Sequence, residues 1–424
     1  MAKAKESVVK DIEAPTQSKA ERLAKLTKDI NAKWVKKGVI SADRPLVGSL
    51  GTMAALRGKK IPSGNLTFDL KFKGGYTRGT STLAWGPAGV GKSMAAMMTA
   101  AQCIKEGGTV LWIQTDPGDP LEMARIQGIP TPEDNPHFLH FNVVGSGEMT
   151  FEILQNYLTD ENKPTDLIDL VVVDSIAGLA PREELEAIKK DGLAASSQGM
   201  SLPERMMSRL FRIMHSTKMY DRAAVILISE ARVDLGSYNS PLKAKGGNAT
   251  KHGVRLDLRY SPIGGQDGLL KIKHNGKDIV LGHRYRIKVI KDGICHRWQH
   301  SEWENDIYYG KSLDNDIALF GLLMEEDGLI RSGATYTAAE VLKPHLPNPD
   351  WKIVSEARVK EALKTDVPFK NGCLAFLKDV YNSVPGDYEE DETEAYIENQ
   401  LEELEVVLQD SVEISEEIEW DSTN

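Results

Sequence analysis

The chain contains four short apolar runs between residues 81 and 230, which are STLAWG, TVLWIQTD, LIDLVVVDS and AAVILISE. Segments with apolar residues at helical spacing lie between these runs. Continuous apolar runs that alternate with helices are typical of parallel strands buried on both faces. The pattern predicts an α/β domain with a mainly parallel central sheet, and the carboxyl ends of its strands are expected to form a ligand-binding crevice.

The pattern changes on either side of this region. Leu23, Leu26, Ile30 and Trp34 follow a helical spacing within residues 18–37, which predicts an N-terminal helix. The segments KIKHNGKDIVLG and RYRIKVIKDG predict later strands with a turn at Asn275-Gly276. After about Ser301 the spacing is helical, as in a small separate domain.

These observations predict four parts of the chain. They are an N-terminal arm and helix (1–45), a core (46–304), a small C-terminal α/β domain (305–386) and an acidic tail (387–424). The tail holds 16 acidic residues and no Lys or Arg, so the rest of the chain carries 52 basic against 46 acidic residues. A mildly basic body suits a polyanionic partner, although the net charge of the whole chain is −10.

The composition and the termini narrow the class of protein. Hydrophobic residues make up 41% and charged residues 27% of the chain, as in a soluble globular protein. We expect no membrane partner, because no stretch of about 18 apolar residues occurs, and the N-terminus lacks the apolar run of a signal peptide. The three scattered cysteines form no disulfide framework. Together these features predict a cytoplasmic protein.

A phosphate-binding loop follows the first apolar run. Residues 86–93 match the pattern GxxxxGK[ST], between a predicted strand and a predicted helix. Glycines let the backbone N–H groups point at phosphate oxygens, and the helix that follows adds its positive end. We therefore predict binding of ATP with Mg²⁺, in which Lys92 reaches the β- and γ-phosphates and Ser93 binds the metal. The predicted nucleotide-binding residues of this loop are Gly86, Pro87, Ala88, Gly89, Val90, Gly91, Lys92 and Ser93.

Two carboxylates follow other predicted strands. Asp174 comes at the end of LVVVD and is predicted to hold Mg²⁺ together with Ser93. Asp116 ends TVLWIQTD, where a carboxylate can orient an attacking water. An equal alternative is that Asp116 caps the next helix.

At this point the sequence resembles the RecA family of bacterial and phage strand-exchange recombinases. The resemblance covers about residues 63–311 and includes several motifs in the family's order. They are IPSGNLTFDLKFKGGYTRGTSTLAWGP, VVVDSIAGLAPREELE, ERMMSRLFRIM, LISEARVDLG, KGGNATKHGVRLDLR and RIKVIKDGI. The resemblance implies a RecA-type P-loop ATPase core, and the N-terminal helix is similar to the helix that links subunits in this family.

The resemblance also implies a function. A protein of this family forms a helical filament of many copies on single-stranded DNA, binds ATP between subunits, and exchanges strands with homologous double-stranded DNA. Single-strand-binding or loader proteins are implied as further partners. The implied location is the bacterial cytoplasm or nucleoid, or the cytoplasm of a phage-infected cell.

Two DNA-binding loops are implied at residues 183–203 and 237–247. Both segments are long, polar and rich in Gly, Ser or Lys, as functional loops are. Their lysines can neutralise phosphates and their tyrosine can stack on bases, although solvated surface lysines are an equal alternative. These loop residues are Lys189, Lys190, Lys243, Lys245 and Tyr238. The resemblance adds Arg205, Arg212, Gly246, Gly247 and Asn248 near the DNA backbone, and Arg259, Arg286 and Lys288 at a second, duplex site.

The sequence departs from the family at four positions. Asp116 stands where the family has Glu, and Glu230 stands where it has a nucleotide-sensing Gln. Lys291 matches the first of two lysines that reach the ATP of a neighbouring subunit, but the second position is Gly293, and His252 replaces an aromatic residue. The residues predicted for catalysis are therefore Lys92, Asp116, Glu230 and, from the neighbouring subunit, Lys291.

Two other functions remain open from the sequence. A related helicase or repair translocase would use the same core, but such motors usually carry an extra zinc module or a long N-terminal domain. A recombination mediator that hydrolyses ATP weakly is the other alternative, and the Asp116 and Glu230 departures are its best support.

Overall fold

The computed structural model describes residues 18–37, 47–48, 59–116, 119–143, 145–160, 163–164, 166–192, 202–217, 220–233, 242–244, 247–274 and 276–383. The described residues form two compact units. The first comprises those up to Leu322 together with Glu356–Thr365, and the second comprises Leu323–Ser355 and those from Asp366 onward. No helix in the described part of the chain is both long and apolar enough to cross a bilayer.

The first unit contains one large sheet and a short two-stranded pair. In chain order the strands are β1 (Ser81–Gly86), β2 (Val110–Gln114), β3 (Phe138–Asn142), β4 (Thr159–Asp160), β5 (Lys163–Pro164), β6 (Leu170–Asp174), β7 (Ala224–Val233), β8 (Leu242–Ala244), β9 (Leu256–Pro262), β10 (Leu269–His274), β11 (Lys277–Asp292) and β12 (Glu302–Tyr308). The order across the large sheet is β10-β11-β9-β1-β7-β6-β2-β3, with β12 also beside β11 and β8 beside β7. Strands β4 and β5 pair only with each other.

The strands β9, β1, β7, β6, β2 and β3 run parallel to one another. Strands β1, β2 and β6 are buried along their whole length. In the register Gly86 lies opposite Glu230, and Gln114 lies opposite Asp174. The predicted parallel sheet is therefore confirmed, and its carboxyl edge collects the ends of the four apolar runs.

The described helices of the first unit that precede β9 include ones that pack against each face of this sheet. They are α1 (Lys19–Lys36), α2 (Leu66–Lys71), α3 (Lys92–Lys105), α4 (Leu121–Ile126), α5 (Gly147–Leu158), α6 (Arg182–Asp191), α7 (Leu202–Thr217) and α8 (Gly247–Gly253). Alternate strand residues point to opposite faces. Thus Ala84 packs in a core with Met97 of α3, whereas Leu83 packs in a second core with Leu154 of α5 and Phe211 of α7. Each fully buried Leu, Met or Phe side chain contributes roughly 1.5–3 kcal/mol by leaving water.

The antiparallel end of the sheet differs from the prediction in two respects. The predicted reversal of the chain is confirmed, because His274 at the end of β10 lies opposite Lys277 at the start of β11. However, the end of the first predicted segment (KDIVLG) and the second segment (RYRIKVIKDG) form the single strand β11. The helical interpretation after Ser301 is wrong for β12, which is a strand. In β12 Trp303 and Asn305 alternate with more exposed Glu302 and Glu304, and this period of two is that of a strand.

The N-terminal helix is confirmed as α1. Ser18 caps it, because the Ser18 hydroxyl accepts from the Glu21 N–H and the Glu21 carboxylate accepts from the Ser18 N–H. Its Leu23 and Leu26 are 55% exposed. An apolar stripe of this kind is available to a partner, and the predicted subunit-linking role remains a prediction.

Helices α9 (Asn315–Glu325) and α10 (Glu356–Thr365) follow β12 in the chain. The second unit contains an antiparallel sheet of β13 (Leu329–Ser332), β14 (Thr335–Ala338) and β15 (Lys352–Val354), and the helix α11 (Val367–Asn382). The Trp351 and Phe369 rings stack with centroids 4.2 Å apart. The second unit thus contains three strands and α11, whereas α10 belongs to the first unit.

Candidate nucleotide site and nucleic-acid surfaces

The phosphate-binding loop lies against the antiparallel end of the sheet. A Cβ on Gly86 would lie 2.2 Å from the Tyr260 carbonyl oxygen, and a Cβ on Gly91 would lie 2.3 Å from Ile307 Cδ1. Gly91 also has a φ of 99°, which a larger residue would adopt only with strain. The buried Val90 holds the loop to the core, whereas Ala88 and Gly89 are exposed at its tip. These glycines are required by the close approach of β9 and β12.

Lys92 is the first residue of α3, and its side chain turns back under the loop. Its amine donates to the Gly86 carbonyl at 3.0 Å and to the Pro87 carbonyl at 2.6 Å. The residue is only 7% exposed. Burial lowers the pKa of Lys92, and the charges of Asp174 and Glu230 oppose this shift. The loop therefore holds a buried cation at the place where the predicted phosphates would bind.

Ser93 and Asp174 form the candidate metal site. The Ser93 hydroxyl donates to the Asp174 carboxylate, which is 7% exposed. Burial raises the pKa of Asp174, the nearby Asp116 raises it further, and Ser93 and Lys92 lower it. A hydroxyl and a carboxylate at one point are ligands that Mg²⁺ accepts. A divalent cation fits here because it would compensate the negative charge of Asp174, which burial destabilises.

Asp116 lies two residues beyond β2, and Ser175 orients its side chain. The Ser175 hydroxyl donates to Asp116 Oδ2 at 3.0 Å, and Thr115 Oγ1 accepts from the Ser175 N–H at 2.9 Å. The alternative that Asp116 caps the next helix is wrong, since α4 begins after Pro120 and its first N–H bonds to Asp119. Ser175 is not among the residues predicted from the sequence, although it follows Asp174 directly in the motif.

Glu230 lies within β7, opposite Gly86 in the neighbouring strand. It is half-buried, and its charge raises the pKa of Lys92. The structure thus brings four of the predicted residues together at the carboxyl edge, namely Lys92, Asp116, Asp174 and Glu230.

Lys291 does not lie at this edge. Its amine donates to three carbonyl oxygens at the end of α8, those of Val254 at 2.7 Å, Lys251 at 2.9 Å and His252 at 3.4 Å. Burial and the charge of Arg255 lower the pKa of Lys291. A Cβ on Gly293 would lie 3.4 Å from Arg255 Cδ, so the Arg255 side chain passes beside the glycine.

A cavity of about 590 Å³ lies near Gly293 rather than at the phosphate loop. Its walls include Thr80, which precedes β1, and Arg255, which precedes β9, so it opens at the amino edge of the parallel sheet. His215, Tyr220 and His252 also line it.

The first predicted DNA loop is helical in its described part. Residues 182–191 form α6, so the expectation of a loop is wrong there, and Lys189 and Lys190 are exposed in the last turn of this helix. A polar composition indicated a loop, but Glu at the start and Lys at the end also favour a helix. Residues 193–201 lie outside the described residues.

Arg205 and Arg212 are exposed on α7. Arg209, which the sequence analysis missed, is also exposed, and residues at i, i+4 and i+7 share one face of a helix. This spacing was the signal that could have identified it.

The second predicted loop is partly a strand. Lys243 lies in β8, which pairs with β7, and Gly247 and Asn248 begin α8. Tyr238, Lys245 and Gly246 lie outside the described residues.

Arg259, Arg286 and Lys288 lie on neighbouring strands of the sheet, with Arg259 opposite Lys288. The Arg259 guanidinium lies 5.5 Å from the Trp85 ring centre, and its buried Nε has no hydrogen-bond partner. The side chains of Arg286 and Lys288 face carboxylates of β12. The structure therefore groups these three cations on neighbouring strands.

Known proteins support the family indicated by the motifs. A family model described as the RecA N-terminal domain matches residues 27–314. The chain is similar to Protein RecA of Oleidesulfovibrio alaskensis, with 31% identity over 311 residues that cover 72% of this chain and 80% of that protein. Protein RecA of Gloeobacter violaceus is 30% identical over 291 residues, covering 68% of this chain and 71% of that protein. A solved structure, the RadB recombinase, matches 60% of this chain and 98% of its own with 18% identity and a TM-score of 0.41.

Proposed function

This chain belongs to the RecA family of recombination and repair proteins, and from that premise we propose that it is a DNA-dependent ATPase that forms filaments on single-stranded DNA. In these filaments it catalyses homologous pairing and strand exchange with double-stranded DNA. One observation carries the proposal, which is that Lys92, Ser93 and Asp174 lie together beneath the phosphate-binding loop.

The residues of this site have distinct proposed roles. Lys92 leaves its two loop carbonyls and binds the β- and γ-phosphates, while Ser93 and Asp174 hold Mg²⁺. The bound metal supplies charge that stabilises the transferring phosphoryl group. Asp116, fixed by Ser175, orients the attacking water. Glu230 lies near Lys92, so it is placed to sense the charge of a bound nucleotide.

The other predicted residues have proposed roles in assembly and DNA binding. Lys291 reaches the nucleotide of a neighbouring subunit, and α1 links the subunits. The residues 183–203 and 237–247, with Arg205, Arg212 and Asn248, contact single-stranded DNA. Arg259, Arg286 and Lys288 contact the duplex. Single-strand-binding or loader proteins assist assembly. The domains follow the boundaries 1–45, 46–304, 305–386 and 387–424, the last being a tail that lies outside the described residues.

A second candidate function is that of a mediator that binds ATP but hydrolyses it slowly. Two observations favour it. The Asp116 side chain is one methylene shorter than a glutamate, and Glu230 adds a negative charge next to the predicted phosphate site. Both features would slow turnover without preventing nucleotide binding.

Electron microscopy with a slowly hydrolysed ATP analogue separates these functions. The protein is imaged with single-stranded DNA, and its ATP hydrolysis is measured with and without DNA. Helical filaments and DNA-stimulated hydrolysis are expected. Closed rings would instead indicate a translocase, and small discrete complexes with slow hydrolysis would indicate a mediator.

A further inference from the structure

A row of cross-strand ion pairs lies on one face of β11 and β12. Three basic residues at every second position of β11 lie opposite three acidic residues at every second position of β12. Their closest atoms are 2.7 Å apart for Arg284 and Asp306, 2.9 Å for Arg286 and Glu304, 3.2 Å for Arg286 and Glu302, and 3.6 Å for Lys288 and Glu302.

These ion pairs are accessible to a large ligand. The side chains of Arg286 and Lys288 are 44% and 42% exposed, and those of Glu302 and Glu304 are both 41% exposed. In contrast, Asp306 is 16% exposed and accepts from Arg284 through both carboxylate oxygens. The Arg284–Asp306 pair is therefore the more buried end of the row. At the other end, Arg286 and Lys288 can exchange Glu302 and Glu304 for another anion.

The charges of this surface nearly cancel. Arg284, Arg286 and Lys288 are matched by three carboxylates, so the row itself has no net charge, and Arg259 on the adjacent strand adds one positive charge. A polyanion that approaches the row meets Glu302 and Glu304 as well as the cations. Because phosphate contacts provide much of the affinity for DNA, this cancellation lowers the affinity of the surface.

We propose that Glu302 and Glu304 are specificity-determining residues that set how strongly the face of β9, β11 and β12 binds double-stranded DNA. This inference rests on the proposed DNA-binding function. By holding Arg286 and Lys288, the two glutamates compete with phosphates for the same cations. The protein thereby disfavours duplex DNA at this face, while single-stranded DNA binds elsewhere.

The geometry and the energetics both favour duplex DNA as the ligand. Alternate residues of an antiparallel strand are about 6.8 Å apart, which is twice the 3.4 Å axial spacing of phosphates along one strand of a duplex. The two strands together present one phosphate per about 1.7 Å of the duplex axis, so a row of this length meets more negative charge on a duplex than on a single strand. Exposed ion pairs are weak, so a duplex with many phosphates can displace the glutamates.

The test uses the full-length Glu302→Gln/Glu304→Gln variant. Its affinity for a fluorescent duplex and for a single-stranded oligonucleotide is measured by anisotropy at several salt concentrations. We expect duplex binding to tighten about 3- to 30-fold at low salt and single-strand binding to change less than about 2-fold. The plot of log affinity against log salt is expected to steepen by up to about 2 for the duplex, as two more phosphates are neutralised.

The matched control is Glu122→Gln/Glu133→Gln. Both of these acids pair with the single Arg125 near α4, so the control removes the same charge from a similar arrangement. It is expected to leave duplex affinity within about 2-fold of the wild type. Equal tightening in both double variants would overturn the proposal, because net charge alone would then explain the effect.

A third substitution tests whether the tighter duplex binding of the double variant depends on Arg286. Arg286→Gln is expected to weaken duplex binding at least about 3-fold more in the Glu302→Gln/Glu304→Gln background than in the wild type. Additive effects of these substitutions would overturn the proposal. Unchanged duplex affinity with intact single-strand binding would overturn this inference alone, whereas absence of all DNA binding by the wild type would overturn the proposed function.

Discussion

The phosphate-binding loop and the face of β11 and β12 both gather charged side chains, but they hold them differently. At the loop, Lys92 and Asp174 are each 7% exposed, and each hydrogen-bonds to polar groups of the loop or of α3. On the β11–β12 face, Arg286 is bound to two glutamates in contact with water. At the loop, the charged side chains are therefore held in place before a ligand binds. On the β11–β12 face, the arginine can exchange its glutamate partners for those of a ligand.

This difference follows from desolvation. A buried charge without a full counter-charge shifts its pKa, as Lys92 and Asp174 do, and the missing compensation can come from a ligand. An exposed pair is already stabilised by water, so the pair contributes little. Substitutions should therefore have large effects at the loop and small effects on the β11–β12 face.

The largest effect is expected for Lys92→Ala. Removal of the buried amine eliminates the counter-charge for the β- and γ-phosphates, and we expect ATP hydrolysis to fall at least about 100-fold with the fold intact. Steady-state hydrolysis with saturating single-stranded DNA measures this loss. Lys105→Ala, at the exposed end of the same helix, is the matched control. Turnover near the wild-type rate in Lys92→Ala would refute the site.

The second-largest effect on ATP hydrolysis is expected for Asp116→Asn. If this carboxylate orients water, turnover falls about 100-fold while ATP-dependent DNA binding is retained. Hydrolysis and filter binding of the same preparation distinguish the two activities. Asp119→Asn controls for loss of a nearby carboxylate, since Asp119 accepts from the Leu121 N–H at the start of α4. An unchanged rate would leave Asp116 a structural partner of Ser175.

A smaller effect, on stability rather than on ATP hydrolysis, is expected at Asp69, whose carboxylate accepts hydrogen bonds from backbone N–H groups. Burial raises the pKa of Asp69 to about 6, although the N–H of Ser63 donates to it at 2.8 Å. Because the folded pKa lies above the unfolded value near 4, the wild type loses stability as pH rises from about 4 to about 6. The total loss is at most about 3 kcal/mol.

Asp69→Asn removes this titration, so its stability relative to the wild type should rise with pH across that window and level off above it. Melting temperatures from pH 4 to pH 7.5 measure the difference. Asp134→Asn, an exposed acid, should show no such trend. Parallel curves for the wild type and Asp69→Asn would contradict the assignment.

The smallest effect is expected for Arg286→Gln. Its ion pairs are exposed to water, so the free energy of unfolding should hardly change. Arg78→Gln is the informative comparison, because Arg78 is more buried and donates to Asp169 at 2.6 Å and to the carbonyls of Lys59 and Arg222. Its loss should cost about 1–3 kcal/mol in urea denaturation. Equal losses of unfolding free energy in Arg286→Gln and Arg78→Gln would show that the exposed and the buried ion pairs do not differ in their contribution to stability.

The phosphate loop and the parallel strands could be predicted because their signals are local. Gly86, Lys92 and Ser93 belong to one motif, and an apolar run identifies a buried strand by itself. Features that depend on distant pairing could not be predicted. The helical interpretation of β12 failed because its partner β11 was needed to reveal the alternation, and the carbonyl partners of Lys291 lie about 40 residues earlier in the chain. Polar composition alone could not distinguish α6 from a loop.

The three carbonyl bonds of Lys291 have a consequence for the order of events during assembly. One amine cannot hold the end of α8 and also reach a nucleotide in a neighbouring subunit. If it is transferred to the neighbour, the last turn of α8 loses three hydrogen bonds, and its amides should then exchange faster with deuterated solvent. Since α8 begins at Gly247, within the predicted DNA-contacting turn, hydrogen exchange of this short helix would report whether subunits dock before or after DNA is bound.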